Sequence, residues 1–201
     1  MKKTESRKNI SLRDKDYYQK LLTTYPNHSF ITLSYLDLHN RLKEVEKQLE
    51  KNLKTAQKFT DKTKEGKVKD NQQERNRLEE EISFLKGYID KGDSVVPLSG
   101  TLTIEFGKTS ENLYAGMNEE FRHYQPAIPT WFETAQHSFE RGAETHNMGG
   151  IENNLEGGLI NFKSKFNPTI EEFVGEFNYP TSSLYFLFNL AYKIRKKLRS
   201  R

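Results

Sequence analysis

Cations are grouped along this sequence, and each group suggests a different chemistry. Between Lys51 and Lys69 stand seven lysines, Lys51, Lys54, Lys58, Lys62, Lys64, Lys67 and Lys69, against only Asp61 and Glu65. A stretch of this density can track a nucleic-acid backbone, because phosphate contacts dominate that affinity. On a helix it can equally be a solvated face. A second group, Lys193, Arg195, Lys196, Lys197, Arg199 and Arg201, closes the chain with no acid among its members. It follows the aromatic and aliphatic run from Leu184 to Tyr192, a combination that suits an anionic membrane surface or a docked helix with a solvated basic tail. Arg13 and Tyr17 are four residues apart, so a helix would put them on one face, and an arginine fork matches phosphate oxygens. An ordinary Arg–Tyr surface pair is the other reading. Taken alone, Phe162-Lys163 is an exposed helix lysine beside a core phenylalanine.

Other chemistries are excluded. Cysteine is absent, so disulfides and thiolate metal sites are ruled out, and a reducing cytoplasm is the expected home. His28, His39, His123, His137 and His146 are scattered without metal-ligand spacing. Gly149-Gly150 and Gly157-Gly158 match neither a P-loop nor a dinucleotide fingerprint and read as turns. No cofactor or metal is expected. The start, dense in charge, has no signal-peptide core, and no run reaches the roughly 18 apolar residues that span a bilayer.

The elements that must carry these residues follow from periodicity. Hydrophobic residues make up 34% and charged residues 30% of 201, yet 13 Phe and 10 Tyr argue for folded structure. A compact part joined to an extended, charged part reconciles the two. Residues 11–25 read as a helix with Ser11 as its cap. Ser29 to Tyr35 alternates as a strand. Leu38, Leu42, Val45, Leu49, Asn52, Ala56, Phe59 and Thr63 then form a heptad seam, as do Asn71, Arg75, Leu78, Ile82, Leu85 and Ile89 after Glu65-Gly66. Two such helices fold back as an antiparallel coiled-coil hairpin over 36–91, with its polar, weaker end at the tip. Val95 to Phe106 reads as a strand in which Pro97 and Gly100 mark an edge or bulge. Lys108 to Glu111 is a turn, and Asn112 to Met117 a strand. Pro126 to Pro129 is a break, and Thr130 to Arg141 is a helix with Trp131, Ala135 and Phe139 on its apolar face. A short helix around Gly158 to Phe166, a strand Thr169 to Phe177 and a terminal helix Thr181 to Arg201 complete an α+β chain.

Several segments together resemble the Fem family of non-ribosomal peptidyltransferases. They are Gly149-Gly150-Ile151, Gly157-Gly158-Leu159, Phe162-Lys163-Ser164-Lys165-Phe166 and Glu172-Phe173-Val174-Gly175-Glu176-Phe177. Upstream, Arg13-Asp14-Lys15-Asp16-Tyr17-Tyr18, Gly107-Lys108-Thr109-Ser110-Glu111, Tyr114-Ala115-Gly116-Met117 and Trp131-Phe132-Glu133 fit in the same order. The likeness is strongest to members that add serine or alanine to the lysine of a lipid-linked muropeptide. It covers the C-terminal half of a family member; the first of the family's two GNAT-like domains is not matched.

The resemblance implies a GNAT-like acyltransferase domain, discontinuous over 1–35 and 92–180, with the hairpin 36–91 inserted and a basic amphipathic helix over 181–201. It implies alanyl- or seryl-tRNA as donor, the lipid-linked muropeptide precursor as acceptor, and peripheral contact with the inner membrane face. Phe162-Lys163 takes the place of the family's Phe-Lys pair, whose lysine stabilises the oxyanion of ester aminolysis. Arg13, Tyr17 and Tyr18 fall where members hold the phosphate region of the precursor, Tyr114 either joins that site or packs in the core, and the lysine-rich tip would hold tRNA. A non-catalytic RNA- or membrane-binding chain is the alternative. An acyl-CoA acetyltransferase is disfavoured, since no pyrophosphate-binding loop is recognisable.

Overall fold

The computed structural model describes residues 13–151, 156–175, 177, 179–182 and 184–199, with side chains through Arg195. Two compact units are present, one of residues 21–147 and one that joins the residues up to Lys20 to those from Met148 onward. In the first, β1 (Ser29–Asp37), β2 (Val95–Phe106), β3 (Thr109–Met117) and β4 (Thr145–Asn147) form one sheet in that order. The β1–β2 and β2–β3 pairs are antiparallel, while β3–β4 is a short parallel pair. Helices α2 (Leu38–Ala56) and α3 (Glu65–Ile89) form an arm between β1 and β2, and α4 (Ala127–Glu140) links β3 to β4.

The arm grows directly from the sheet. Asp37 ends β1 and caps α2, its carboxylate accepting from the Asn40 N–H at 2.9 Å. Arg41 meets Glu81, Glu46 meets Lys86 and Asn52 meets Asn71, so the two helices run antiparallel. Leu38, Val45, Leu78 and Leu85 are buried between them, and they share one apolar cluster with Val96, Leu98 and Phe121. Helix α2 stops at Ala56, earlier than the heptad pattern suggests, which leaves Phe59 and Thr63 in the connector. Further out, Asn52 and Asn71 exchange side-chain-to-backbone hydrogen bonds at 3.0 and 3.3 Å in place of apolar packing.

Pro97 and Gly100 lie on a strand paired on both sides rather than on an edge. The proline is tolerated because β3 pairs with β2 only from Ser99 onward, and because Ser34 pairs with Ser99 but Tyr35 with Pro97. Leu98 is therefore the extra residue of a bulge, and it enters the arm cluster. The turn before β3 is also tighter than expected: Gly107 at φ 58 and Lys108 alone join the strands.

Pro126 and Pro129 begin α4 instead of breaking the chain, since a helix's first turn has no N–H partners for proline to forfeit. The helix also presents a different face from the one its aromatic residues suggest. Thr130, Thr134 and Ser138 are its buried residues, while Phe132 and Phe139 are exposed. Two elements have no obvious sequence signal, β4 and the 3-10 helix Glu119–Tyr124 that delivers Phe121 to the core.

In the other unit, α1 (Lys15–Thr24) crosses the boundary. Its start is capped by Asp14, which accepts from the Tyr17 N–H at 2.9 Å; Ser11 lies outside the described residues. Helix α5 (Gly158–Lys163) runs into a 3-10 turn, Ser164–Phe166, and α6 (Leu184–Arg199) follows. The strand expected over 169–177 is absent among its described residues. Ile170, Phe173 and Val174 are exposed, and β-prone residues form a strand only where a neighbour pairs with them.

The arm's stability should be concentrated at its base. Replacing fully buried Leu85 with Ala should cost about 2–5 kcal/mol in urea unfolding, against about 0.5 kcal/mol or less for exposed Val68→Ala near the tip.

Candidate functional site

Lys163 is the last residue of α5 and only 5% exposed. Sequence spacing made it the exposed partner of a core phenylalanine, but Phe162 is the half-buried member, edge-on to Phe166 at 5.6 Å. The Lys163 Nζ donates to the carbonyls of Gly149 and Gly150 at 2.6 and 2.8 Å. Gly149 sits at φ 77, a conformation that other residues reach only with strain, and it turns the chain so that both carbonyls face the amine. Burial lowers the Lys163 pKa from its usual 10.5. The result is a cation of fixed position beside a glycine turn, a device that can steady negative charge on a reacting oxygen.

The same unit contains the Arg13 and tyrosine group. The Arg13 guanidinium stands 5.5 Å from the Tyr17 ring centre, and Tyr17 meets Tyr18 edge-on at 5.5 Å. These residues do share one end of α1, with Arg13 exposed and Tyr18 half-buried. Tyr114 belongs to the other unit, on β3 opposite Leu102, and is half-buried.

On the arm, Lys51 and Lys54 are on α2, Lys58, Lys62 and Lys64 in the connector, and Lys67 and Lys69 on α3. All seven are exposed. Lys54 pairs with Glu50 at 2.6 Å, and Lys67 lies 5.9 Å from the Phe59 ring centre. Among the described residues, the other five have no acidic partner within 4.0 Å. At the chain's end, Phe186, Leu187, Phe188 and Leu190 of α6 are each more than half exposed. Among the described residues no helix is long and apolar enough to cross a membrane, and no three His, Asp or Glu could hold a metal.

Two polar clusters escaped sequence reasoning. Buried Glu81 accepts from Arg41 Nε and from the Tyr124 hydroxyl, both at 2.8 Å, and pairs with Arg77 at 3.3 Å. Burial first, and the Glu81 hydrogen bond second, push Tyr124 up to about 12. The available signal was Leu78, Glu81, Leu85, an acid on an apolar stripe. The second cluster is a layer of hydroxyls between sheet and α4. Ser34 bonds Ser99 and Thr130, each at 2.9 Å, Thr101 bonds Thr134 at 2.7 Å, and Thr103 bonds Asn112 at 2.8 Å. At its far end, fully buried Ser110 bonds His146 Nδ1 at 2.8 Å. Thr130, Thr134 and Ser138 recur every four residues, a spacing that marks one helix face without saying what that face meets.

Burial lowers the His146 pKa below 6.5, so the unfolded chain binds that proton more tightly. The contribution to stability is complete above pH 6.5 and falls as pH drops through 6.5 toward the folded value. Unfolding titrations should show this acid-side loss diminished in His146→Gln.

Comparison with known proteins places this geometry. The FemAB family model matches residues 1–193. Aminoacyltransferase FemA of Staphylococcus aureus, strain MW2, is 26% identical over 216 residues, an alignment that takes in all of this chain and 50% of that protein. FemA from strain MRSA252 gives the same identity and coverage. The chain thus spans about half the length of the curated relatives it matches. Among solved structures, FemX shares the fold with a TM-score of 0.56 and 24% identity, over 81% of this chain and 44% of that one. A match running through the Arg13 group, the arm, the sheet and the Lys163 turn shows that the chain belongs to the FemAB family.

Proposed function

We propose that this chain forms part of a tRNA-dependent peptidyltransferase that adds alanine or serine to the stem-peptide lysine of a lipid-linked peptidoglycan precursor. The lysine amine attacks the carbonyl carbon of the aminoacyl ester, an amide forms, and the tRNA ribose oxygen leaves. Lys163 carries the reading: a buried ammonium held by two carbonyls can stabilise the tetrahedral oxyanion without reorganising. Phe162, its neighbour in the chain, packs edge-on to Phe166 and is the second residue of the catalytic pair. Arg13, with Tyr17 and Tyr18, binds the precursor's phosphate region, Tyr114 of the other unit is a separate candidate for substrate contact, and no cofactor takes part. In this reading residues 1–35 and 92–180 form a GNAT-like domain, 36–91 an inserted coiled-coil arm, and 181–201 a helix for the cytoplasmic membrane face. The exposed apolar side chains of α6 favour that last role.

In a protein of full Fem length, Lys163→Met should slow aminoacyl transfer about 100-fold, the effect of losing one oxyanion partner, with tRNA binding retained. Unchanged turnover would remove Lys163 from the reaction.

The seven exposed tip lysines favour tRNA contact by the arm, and they would serve equally a chain that binds RNA without catalysis. Replacing Lys58, Lys62 and Lys64 with Gln should flatten the slope of log affinity against log salt by roughly 2–3 units, with little dependence on tRNA sequence. If salt slope and affinity both persist, the arm is a spacer. Transfer activity with Lys163 intact separates the transferase from the non-catalytic reading.

A further inference from the structure

The tip of the arm holds more than cations. Residues 57–64, which join α2 to α3, contain an ordered turn: the Thr60 N–H donates to the Thr63 hydroxyl at 2.9 Å, and the Thr63 N–H donates to the Thr60 carbonyl at 2.8 Å. Phe59 leads into that turn. Its place in the heptad pattern would bury it, but it is only half-buried, with the Lys67 ammonium 5.9 Å from its ring centre. On the first turns of α3 lies an open cleft of about 480 Å³, lined by Thr63, Glu65, Val68, Lys69, Gln72 and Gln73. Lys67, which meets the ring, is the chain neighbour of Val68, which lines the cleft.

A surface that only tracked phosphates would need the lysines and nothing more. Phe59 is superfluous to that task, and Glu65 works against it, since a carboxylate repels phosphate. Both suit a nucleobase. A half-exposed ring stacks on a base face, which a duplex hides and a single strand offers. A carboxylate accepts from an exocyclic amino group, as it does from cytosine N4. Val68, 42% exposed, adds an apolar wall for the base plane. We propose that the tip binds unpaired RNA, with one base stacked on Phe59 and a neighbouring base that bears an exocyclic amino group in the cleft against Glu65. The inference deepens the reading of the arm as an RNA contact and rests on it. It is independent of Lys163 and of catalysis.

The test measures binding of the full chain to a fluorescent oligocytidylate, an oligouridylate of the same length and a blunt RNA duplex. Cytidylate should bind about fivefold more tightly than uridylate, which differs in lacking the amino group. Phe59→Leu should weaken both single strands about tenfold and leave the duplex unchanged. Glu65→Ala removes a negative charge from a basic tip, so charge alone would tighten every probe and keep their order. The base contact instead predicts that the preference for cytidylate disappears. Each ratio is read on one protein sample, so a partly unfolded variant does not alter it. Equal weakening of all three probes by Phe59→Leu, or a cytidylate preference that survives Glu65→Ala, overturns the proposal. So does poly-glutamate that competes as well as oligocytidylate, which would make the tip a general polyanion binder. If the unaltered chain binds all three probes alike with steep salt dependence, the arm contacts backbone only and this inference alone falls. If it binds none of them, the tRNA reading of the arm falls as well.

Discussion

Contact between the base of the arm and the sheet supplies most of the apolar core. Leu38, Val45, Leu78 and Leu85 from the arm meet Val96 and Leu98 of β2 and Phe121 of the 3-10 helix. Burying side chains of this size stabilises by about 1.5–3 kcal/mol each, so this one cluster outweighs any polar contact in the chain. Aromatic packing extends it: Phe84 and Tyr88 each meet the Phe121 ring, at 5.1 and 4.9 Å. The arm is thus anchored in the fold's main core, although its outer half is held by little more than the Asn52–Asn71 exchange. Rigid at the base and lightly held at the tip, it can present exposed lysines at a distance from the sheet.

This placement of the core explains two polar features. Glu81 is buried where the arm leaves the sheet, and it keeps its charge company with Arg41, Arg77 and the Tyr124 hydroxyl. A pair of this kind adds little net stability but is costly to break, so it favours one orientation over others. Between the sheet and α4, by contrast, hydroxyls replace hydrocarbon. Thr and Ser side chains are short, which brings helix and sheet close, and their mutual hydrogen bonds offset the loss of water. Phe132 and Phe139 are left outside as a consequence.

At Lys163 the same accounting is turned to chemistry. An amine taken out of water needs acceptors, and two glycine carbonyls provide them without adding a negative charge. Its pKa falls for that reason, and its position is set by backbone rather than by a mobile side chain. Such a site depends on a glycine at position 149, where φ is 77.

The sequence by itself determined the elements whose signal is local. Heptad spacing placed α2 and α3, alternation placed β1, richness in β-branched residues placed β2, and the Fem-like motifs singled out Lys163, because each is a matter of residues near one another in the chain. It could not tell that Thr130, Thr134 and Ser138, rather than Trp131 and Phe139, would face the sheet. Nor could it tell that Glu81 would be buried, or that residues 169–175 would find no strand partner among the described residues. Those outcomes were decided by what lies across the packing interface: a β2 rich in Ser and Thr, a tyrosine 43 residues away, an absent neighbour. Periodicity reports that a helix has two faces, but only the tertiary structure says which face meets its complement.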